Sequence, residues 1–371
     1  MRRLSNMKKL IIFYILYLSF IFPLQAKSEE TLSRGLFVMA DEGSQLLSSR
    51  QEIIRLIDLA EKTRIKLLFI QIYQGNRAWF PSSLADSAPY EACLKSVSED
   101  PFELLIRQAH LRGIEVHAWV NILSLGRNNN SKMLKKYGVD ILTRNLKDKN
   151  SLEDYKIDNQ YFLEPGDLRV RREVTGIVEE IIRTYPDLDG IQFDYLRYPD
   201  KNPAYGFTKM NTGRFKEATG VDIIDEESQA WKEWKRDQVT ETLKQLVKRT
   251  RELRKDIQIS VTGCMPYQRA YYEAFQDWPS WLNSHLIDFV TIMDYSPDYQ
   301  EFSRWISAIK GKVIDFGKVN IGIGAYKLGH SPKEFEQELR FCEKSGGGAC
   351  VIFHYGSLVD NPSLADFLLN R

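Results

Sequence analysis

The stretch LDGIQFDYLRYP, residues 188–199, contains a short strand in which apolar and polar side chains alternate. Ile191 and Phe193 fall on one face and Gln192 and Asp194 on the other, because successive side chains of a strand point to opposite sides. In a closed barrel of parallel strands, helices cover the outer face, so the outward set must be apolar. We therefore expect Gln192 and Asp194 to point inward, with Asp194 at the carboxyl end of its strand.

Outward from this strand, short apolar segments alternate with longer helical patterns along the chain. The helical patterns carry apolar residues at three- and four-residue spacing, which is typical of amphipathic helices. Eight segments are expected to form strands: residues 35–39, 66–73, 115–121, 190–194, 258–262, 289–294, 319–324 and 349–354. This order predicts an α/β fold, a single (β/α)8 TIM-type barrel. A doubly wound open sheet is the competing architecture.

Two connections are far longer than the two to six residues that are usual in α/β units. They are residues 123–161 after the third strand and 200–227 after the fourth. Both leave the carboxyl ends of strands, which in such a barrel is the face that carries active sites. We expect these long loops to build the walls of a cleft.

The same alternation predicts a polar interior. A barrel without a ligand site would be filled by Val, Ile and Leu. The inward set comprises Gln71 and Tyr73 of the second strand, Glu115, His117 and Trp119 of the third, Gln258, Ser260 and Thr262 of the fifth, and Asn320 of the seventh. We interpret it as a pocket for a polar ligand; a buried polar network that satisfies itself is the alternative.

Composition narrows the class of ligand. The 371 residues are 43% hydrophobic, and 51 Lys and Arg residues face 50 Asp and Glu residues. Such a balance gives no strong field to attract nucleic acid, an acidic polymer or an anionic membrane. A neutral ligand is therefore expected.

The amino-terminal segment has the order of a secretory signal peptide. Basic residues at positions 2, 3, 8 and 9 precede an apolar run over residues 10–22, followed by the small residue Ala26. We predict a signal peptide over residues 1–26, cleaved near Ala26, and a barrel domain over residues 31–371. The protein would then be exported, periplasmic or secreted, with membrane contact only through this segment. An uncleaved anchor remains the alternative.

Four cysteines, Cys93, Cys264, Cys342 and Cys350, lack CxxC spacing and are too few for a disulfide scaffold. We interpret them as small core residues. Cys342 and Cys350 could meet across a helix and the following strand.

Residues 188–199 also resemble the strand-four signature of the bacterial family-10-like glycosyl hydrolases, exported TIM barrels linked to peptidoglycan cleavage. Further segments agree in order: RGLFV (34–38), QIYQGNRAWFPS (71–82), RGIEVHAWVN (112–121), LEPGDLRVR (163–171) and QDWPSWL (276–282). The resemblance covers nearly the whole mature chain and implies the barrel fold and a glycosidase activity. The chain departs from the family motif at Glu164, where Asp is usual, and Asp294 is not a position that the family fixes.

Glycoside hydrolysis usually takes two carboxyl groups, one as the acid and one as nucleophile or base. We expect Asp194 to be the ionised member, oriented by Arg197 if that side chain reaches back. The partner must come from loops at the same rim. Glu164, just ahead of a rim helix, is the first candidate, although a carboxylate at a helix amino terminus can instead satisfy backbone donors.

Asp294 is the next candidate, since it ends the sixth strand and could face Asp194 across the mouth. Val290 and Ile292 share its phase, however, which would point it outward. Asp277 is a further candidate, and its place before Trp-Pro also fits a helix cap.

Sugar sites combine flat aromatic faces with amide or guanidinium donors. The residues expected to bind substrate are Gln71, Tyr73, Trp79, His117, Trp119, Asn121, Gln192, Arg197, Asp277 and Tyr295. The five histidines have no metal-ligand spacing, and no phosphate loop or dinucleotide fingerprint occurs, so we expect no metal, cofactor or nucleotide.

The expected function is therefore hydrolysis of a polysaccharide, with bacterial cell-wall glycan as the first candidate. Two alternatives stay open: a barrel that binds glycan without cleaving it, and a transglycosylase or lyase on the same fold.

Overall fold

Eight parallel strands form the centre of the protein. The computed structural model describes residues 33–40, 46–200, 203–329 and 331–370. The strands are β1 (Ser33–Val38), β2 (Ile65–Gln74), β3 (Glu115–Asn121), β4 (Gly190–Asp194), β5 (Gln258–Cys264), β6 (Phe289–Asp294), β7 (Val319–Ile323) and β8 (Ala349–Phe353). They pair in sequence order, and β1 pairs with both β2 and β8, so the sheet closes. The predicted (β/α)8 barrel is confirmed.

Helices surround the barrel with their apolar faces inward. They are α1 (Arg50–Lys62), α2 (Ala88–Val97), α3 (Pro101–His110), α4 (Lys132–Tyr137), α5 (Leu168–Thr184), α6 (Lys209–Thr219), α7 (Gln229–Leu253), α8 (Tyr267–Tyr272), α9 (Trp278–Asn283), α10 (Tyr299–Ile309), α11 (Ala325–Leu328), α12 (Pro332–Lys344), α13 (Tyr355–Asp360) and α14 (Pro362–Leu369). Several begin at a side chain that caps a backbone amide, such as Ser49 before α1 and Asp167 before α5.

The interior of the barrel has an apolar side and a polar side. The apolar cluster consists of Phe37, Phe69, Trp119, Ala349 and Val351. On the polar side, the hydroxyls of Ser260 and Thr291 donate hydrogen bonds to Gln192 Oε1 at 2.7 and 3.4 Å. The predicted polar lining is thus present on one side only, and aromatic rings fill the other.

A register irregularity in β2 reverses one expected orientation. Gln71 pairs with inward Trp119, but Tyr73, two residues on, pairs with outward Val120. Tyr73 therefore lies in the core between barrel and helices, where its hydroxyl accepts a hydrogen bond from Asn76 Nδ2 at 3.3 Å. The prediction that Tyr73 faces the interior is wrong, because the extra residue shifts the alternation.

The connection after β3 is ordered by its own backbone pairing. Its strands Ser124–Gly126 and Tyr161–Phe162 pair antiparallel at the carboxyl end of the barrel. The loop also packs on Gly75, where an added Cβ would lie 2.9 Å from the carbonyl oxygen of Leu125. This loop is therefore an ordered wall at the carboxyl end of the barrel.

A disulfide joins Cys342 of α12 to Cys350 of β8. The contact that the sequence allowed is formed, and both residues also lie in the hydrophobic core, as interpreted from the sequence. Cys93 and Cys264 are buried free thiols.

The predicted signal peptide lies outside the described residues. Within the described ranges, no helix is both long and apolar enough to span a membrane.

Candidate active site

Asp194 stands at the end of β4 with its carboxylate held by donors from two other strands and from the loop after β4. Trp119 Nε1 donates to Oδ2 at 3.0 Å, and Thr262 Oγ1 donates to Oδ1 at 2.5 Å. The Tyr195 amide and Arg197 Nη1 also donate to Oδ1, at 2.6 and 3.4 Å. Hydrogen bonds to a charged acceptor are the strong ones, so the carboxylate has one fixed orientation. The predicted contact of Arg197 with Asp194 is present.

A cavity of about 520 Å³, the central cavity, opens over Asp194. Its polar lining includes Gln71, Gln74, Asn121, Arg197, Asp200, Arg269, Glu301 and Lys327, and its aromatic lining Trp119, Tyr195, Tyr295, Trp305, Tyr326 and Phe353. The ring centroids of Tyr295 and Phe353 lie 4.9 Å apart with their planes tilted by 33°, and the two rings make an aromatic surface on the β6–β8 side. Such a surface beside polar donors suits a pyranose ring.

Two further carboxylates line this cavity in the described part of the chain, and sequence reasoning missed both. Asp200 Oδ2 lies 3.4 Å from Arg269 Nε. Glu301 Oε2 accepts a hydrogen bond from Ser296 Oγ at 2.8 Å. Asp200 could have been suspected from its place six residues after Asp194. Glu301 lies in the first turn of α10 and carried no signal beyond its spacing from the capping Asp298.

A second cavity of about 540 Å³, the β3-loop cavity, adjoins the central one. It is lined by residues 124–130 and Gln160 of the long loop after β3 and by the turn after β2. Gln74, Asn121 and Tyr195 line both cavities. The two therefore form one cleft across the mouth of the barrel.

Glu164, the first-choice acid, lies outside this cleft. It is fully buried, and its Oε1 accepts hydrogen bonds from the Tyr198 hydroxyl at 2.5 Å and the Gly166 amide at 3.2 Å. Burial raises its pKa, against the lowering effect of these donors. It joins the loop after β3 to the loop after β4, so the structure contradicts a place for it at the reacting bond.

Asp294 also lies outside the cleft. It is fully buried and follows the outward phase of β6, while its neighbours Met293 and Tyr295 line the central cavity. Burial raises the pKa of Asp294 to about 8. The predicted pairing of Asp294 with Asp194 across the mouth of the barrel is wrong, because β6 keeps its alternation to its last residue.

Three expected sugar contacts are placed elsewhere. Trp79 is packed in the outer core with Arg77 over its ring, and Tyr73 is displaced by the irregularity in β2. Asp277 accepts hydrogen bonds from the Ser280 amide and the Tyr267 hydroxyl, so it caps α9. The helix-cap alternative is the one observed.

His117 and Gln192 face the interior as predicted but lie below the cleft and are fully buried. An added Cβ at Gly190 would lie 2.2 Å from the His117 ring, so this glycine makes room for the imidazole. These two residues support the floor of the barrel. Of the predicted set, the structure brings together in the central cavity Gln71, Trp119, Asn121, Asp194, Arg197 and Tyr295.

In the described ranges, no group of three or more His, Cys, Asp or Glu side chains is placed to hold a metal ion.

An oriented aspartate, aromatic surfaces and an open cleft at the carboxyl ends of the strands define the class: a glycoside hydrolase on a (β/α)8 barrel. The family model described as glycosyl hydrolase-like 10 matches residues 33–338, and the chain belongs to this family. The resemblance read from the sequence is thereby confirmed.

Named relatives agree with this class. The chain is 21% identical over 312 residues to the glycosyl hydrolase DigH of Escherichia coli K12, covering 76% of this chain and 67% of DigH. It is 22% identical over 329 residues to the glycosyl hydrolase YngK of Bacillus subtilis, covering 80% of this chain but 61% of YngK.

Solved structures share the fold at low sequence identity. The PgaB (BpsB) glycoside hydrolase domain from Bordetella bronchiseptica superimposes with a TM-score of 0.67 at 14% identity, covering 91% of this chain and 98% of that domain. The catalytic domain of β-amylase from Paenibacillus polymyxa gives 0.56 at 11% identity, with the same coverages of 91% and 98%.

Proposed function

We propose that the protein is an exported glycoside hydrolase that cleaves the glycan strands of bacterial cell-wall peptidoglycan, with Asp194 as the central catalytic carboxylate. The observation that carries the proposal is the fixed orientation of Asp194 at the floor of an open cleft. The wall glycan as substrate rests on the sequence resemblance and on a cleft of two adjoining cavities, which suits a polymer. Export rests on the amino-terminal pattern, and the disulfide supports it, since disulfides persist in oxidising compartments.

The two oxygens of Asp194 have different environments. Oδ1 accepts three hydrogen bonds, from Thr262, Tyr195 and Arg197, whereas Oδ2 accepts one, from Trp119. Oδ2 therefore keeps lone-pair capacity for the reaction, either toward the anomeric carbon or toward a water. Arg197 and Thr262 hold the other oxygen and so orient the reacting one.

For the proton donor we propose Glu301. Asp200 Oδ2 is held in an ion pair by Arg269, whose Nε lies 3.4 Å away. Glu301 Oε2 instead accepts a hydrogen bond from the neutral hydroxyl of Ser296. Its other oxygen, Oε1, lies 3.6 Å from the exposed guanidinium of Arg304. The guanidinium near Glu301 lies outside the cavity lining, whereas that of Arg269 belongs to it, and on this ground we assign proton transfer to the leaving oxygen to Glu301.

The test is incubation of the purified mature protein with peptide-free and peptide-bearing peptidoglycan, followed by mass analysis of the soluble products. Wild type should release fragments with new reducing ends, and Asp194→Asn should release at least about 1,000-fold less. Asp222→Asn, which removes an exposed carboxylate elsewhere, is the matched control and should match wild type.

Glu301→Gln and Asp200→Asn belong in the same assay. If Glu301 is the acid, its variant loses most turnover on the glycan yet keeps it on an aryl glycoside whose leaving group needs no proton. If wild type and Asp194→Asn both bind the glycan and neither releases fragments, the hydrolase proposal is wrong and a glycan-binding barrel replaces it. Unsaturated or anhydro products would instead indicate a lyase or transglycosylase.

A further inference from the structure

The β3-loop cavity has the shape of a preformed subsite. Its wall is anchored to the turn after β2, because Asn128 Nδ2 donates to the Gly75 carbonyl at 2.7 Å and Asn128 Oδ1 accepts from the Asn130 amide at 3.0 Å. Gln160 Oε1 accepts from Ser124 Oγ at 3.1 Å. A cavity of about 540 Å³ lies within the range of about 300–1,000 Å³ that small-ligand sites occupy. It can hold a sugar next to the one over Asp194.

The lining is rich in side-chain amides, from Gln74, Asn121, Asn128, Asn129, Asn130 and Gln160. Amides both donate and accept hydrogen bonds, as sugar hydroxyls and acetamido groups require. The cavity has few aromatic residues, so the ring at this position is held by polar contacts. Its selectivity must come from which polar groups the sugar carries.

Charge distinguishes the two cavities. In the central cavity, Arg197 faces Asp194, Arg269 faces Asp200, and Lys327 Nζ donates to the Tyr295 carbonyl at 2.8 Å. In the β3-loop cavity, Arg127 is exposed and forms no ion pair within the described ranges. A guanidinium at the wall of a sugar-sized cavity matches a planar anion, because its donors fit a carboxylate in a bidentate way.

The other charged groups near Arg127 do not neutralise it. Lys156 is a second cation in its neighbourhood and is paired with Glu153 at 2.5 Å. The carboxylate of Asp86 lines the cavity and accepts a hydrogen bond from the Ala88 amide at 3.1 Å. Arg77 also lines the cavity, so two guanidinium groups and one carboxylate belong to its lining, and an anion there meets a net positive charge.

We propose that Arg127 binds a carboxylate carried by the glycan, which makes the β3-loop cavity a subsite for an acidic sugar and Arg127 a specificity-determining residue. This deepens the proposed function and rests on it, since the same cleft must hold the cleaved glycan. A chain of uncharged sugars alone leaves the cation unmatched.

The experiment measures binding as well as turnover, so that a failure of the hydrolase proposal is distinguished from a failure of this one. One peptide-free peptidoglycan glycan is prepared in two forms, with its carboxylates intact and with them reduced to alcohols. Dissociation constants for both forms are measured on Asp194→Asn and on Asp194→Asn combined with Arg127→Gln. KM is measured on the same two glycans in the wild-type background.

We expect Arg127→Gln to weaken binding of the carboxylated glycan roughly tenfold and of the reduced glycan less than about twofold, as for loss of one charge-assisted contact. Arg127→Lys should fall between, because it keeps the charge and loses the fork. Arg340→Gln removes an equal charge from the outer face of α12 and should change neither constant.

Equal effects of Arg127→Gln on both glycans, or no effect on either, would overturn the proposal. So would a dissociation constant of Asp194→Asn that is the same for the carboxylated and the reduced glycan. If the carboxylated glycan binds through Arg127 but the wild-type protein does not cleave it, the subsite proposal is supported and the hydrolase proposal is wrong.

Discussion

At the scale of the residue, the orientation of Asp194 depends on side chains from other strands. Thr262 of β5 and Trp119 of β3 each donate one hydrogen bond to a different carboxylate oxygen. Neither residue needs to touch the substrate bond to affect turnover. Each acts as a positioning residue, because rotation of the carboxylate would move its reacting lone pairs.

We expect Thr262→Val, which keeps the shape and removes the hydroxyl, to lower kcat about 10- to 100-fold with KM changed less than about threefold. One lost hydrogen bond to a charged group corresponds to about 1.5–3 kcal/mol. Thr291→Val is the control, since the Thr291 hydroxyl of β6 donates to Gln192 of β4, two strands away, and not to Asp194. Kinetics on the glycan released by wild type measure both constants. A rise in KM alone would assign Thr262 to binding instead.

The sequence predicts individual site residues where strand alternation alone decides the direction. Gln192 and Asp194 face inward as expected, because β4 is regular throughout. Tyr73 does not, because a register irregularity in β2 changes the phase without any Gly or Pro to mark it. Asp200 and Glu301 escape prediction since Asp200 lies on a loop and Glu301 at the start of α10, where the direction of a side chain depends on tertiary packing.

At the scale of the element, α12 and β8 are tied covalently. The disulfide closes a segment with a sequence separation of 8. Spacing in the sequence allowed the pair but could not establish it, because a helix, a turn and a strand must first bring the two thiols together. The link fixes the last βα unit beside β1, where the barrel closes.

We expect the double variant Cys342→Ala, Cys350→Ala to lower the free energy of unfolding by roughly 2–3 kcal/mol, as estimated for a short closed loop. Chemical denaturation with and without reductant measures it. Reductant should destabilise wild type and leave the double variant unchanged, which provides an internal control. Thiol labelling of the protein from the cell-envelope fraction should find two free cysteines; four would contradict both the disulfide and its support for export.

At the scale of the whole molecule, the barrel was predictable because eight strand and helix segments alternate with consistent periods. The division of its interior into an aromatic and a polar side was harder to predict, since alternation reveals which face a side chain points to but not how deep in the barrel it lies. Asp294 illustrates the limit. Its phase pointed outward, and the structure buries it fully, close enough to interact electrostatically with the fully buried Glu338 of α12.

Asp294 and Glu338 should make the stability of the whole fold depend on pH. Burial is the main cause that raises the pKa of Asp294 to about 8 and the pKa of Glu338 to about 9. Nearby carboxylates raise both further: Glu301 acts on Asp294, while Asp294 and Glu334 act on Glu338. In the unfolded chain both titrate near pH 4. Between about pH 4 and pH 9 the unfolded state holds fewer protons on these two groups than the folded state. The stability that the two groups contribute is therefore fully present below about pH 4 and is lost as pH rises to about 9.

Urea unfolding at pH 5, 7 and 9 should therefore show a loss of several kcal/mol in the unfolding free energy of wild type across this range, with about 9 kcal/mol as the upper limit that the two pKa values set. Asp294→Asn combined with Glu338→Gln should flatten that decline, because the amides carry no charge to bury, and should be the more stable protein at pH 9. Glu336→Gln on the accessible side of α12 is the control and should keep the wild-type slope. A double variant that declines as steeply as wild type would show that the two carboxyls are not the buried proton sites.

Because neither lines the cleft, activity of the folded double variant at neutral pH should equal that of wild type, which separates this effect on the fold from the chemistry of Asp194.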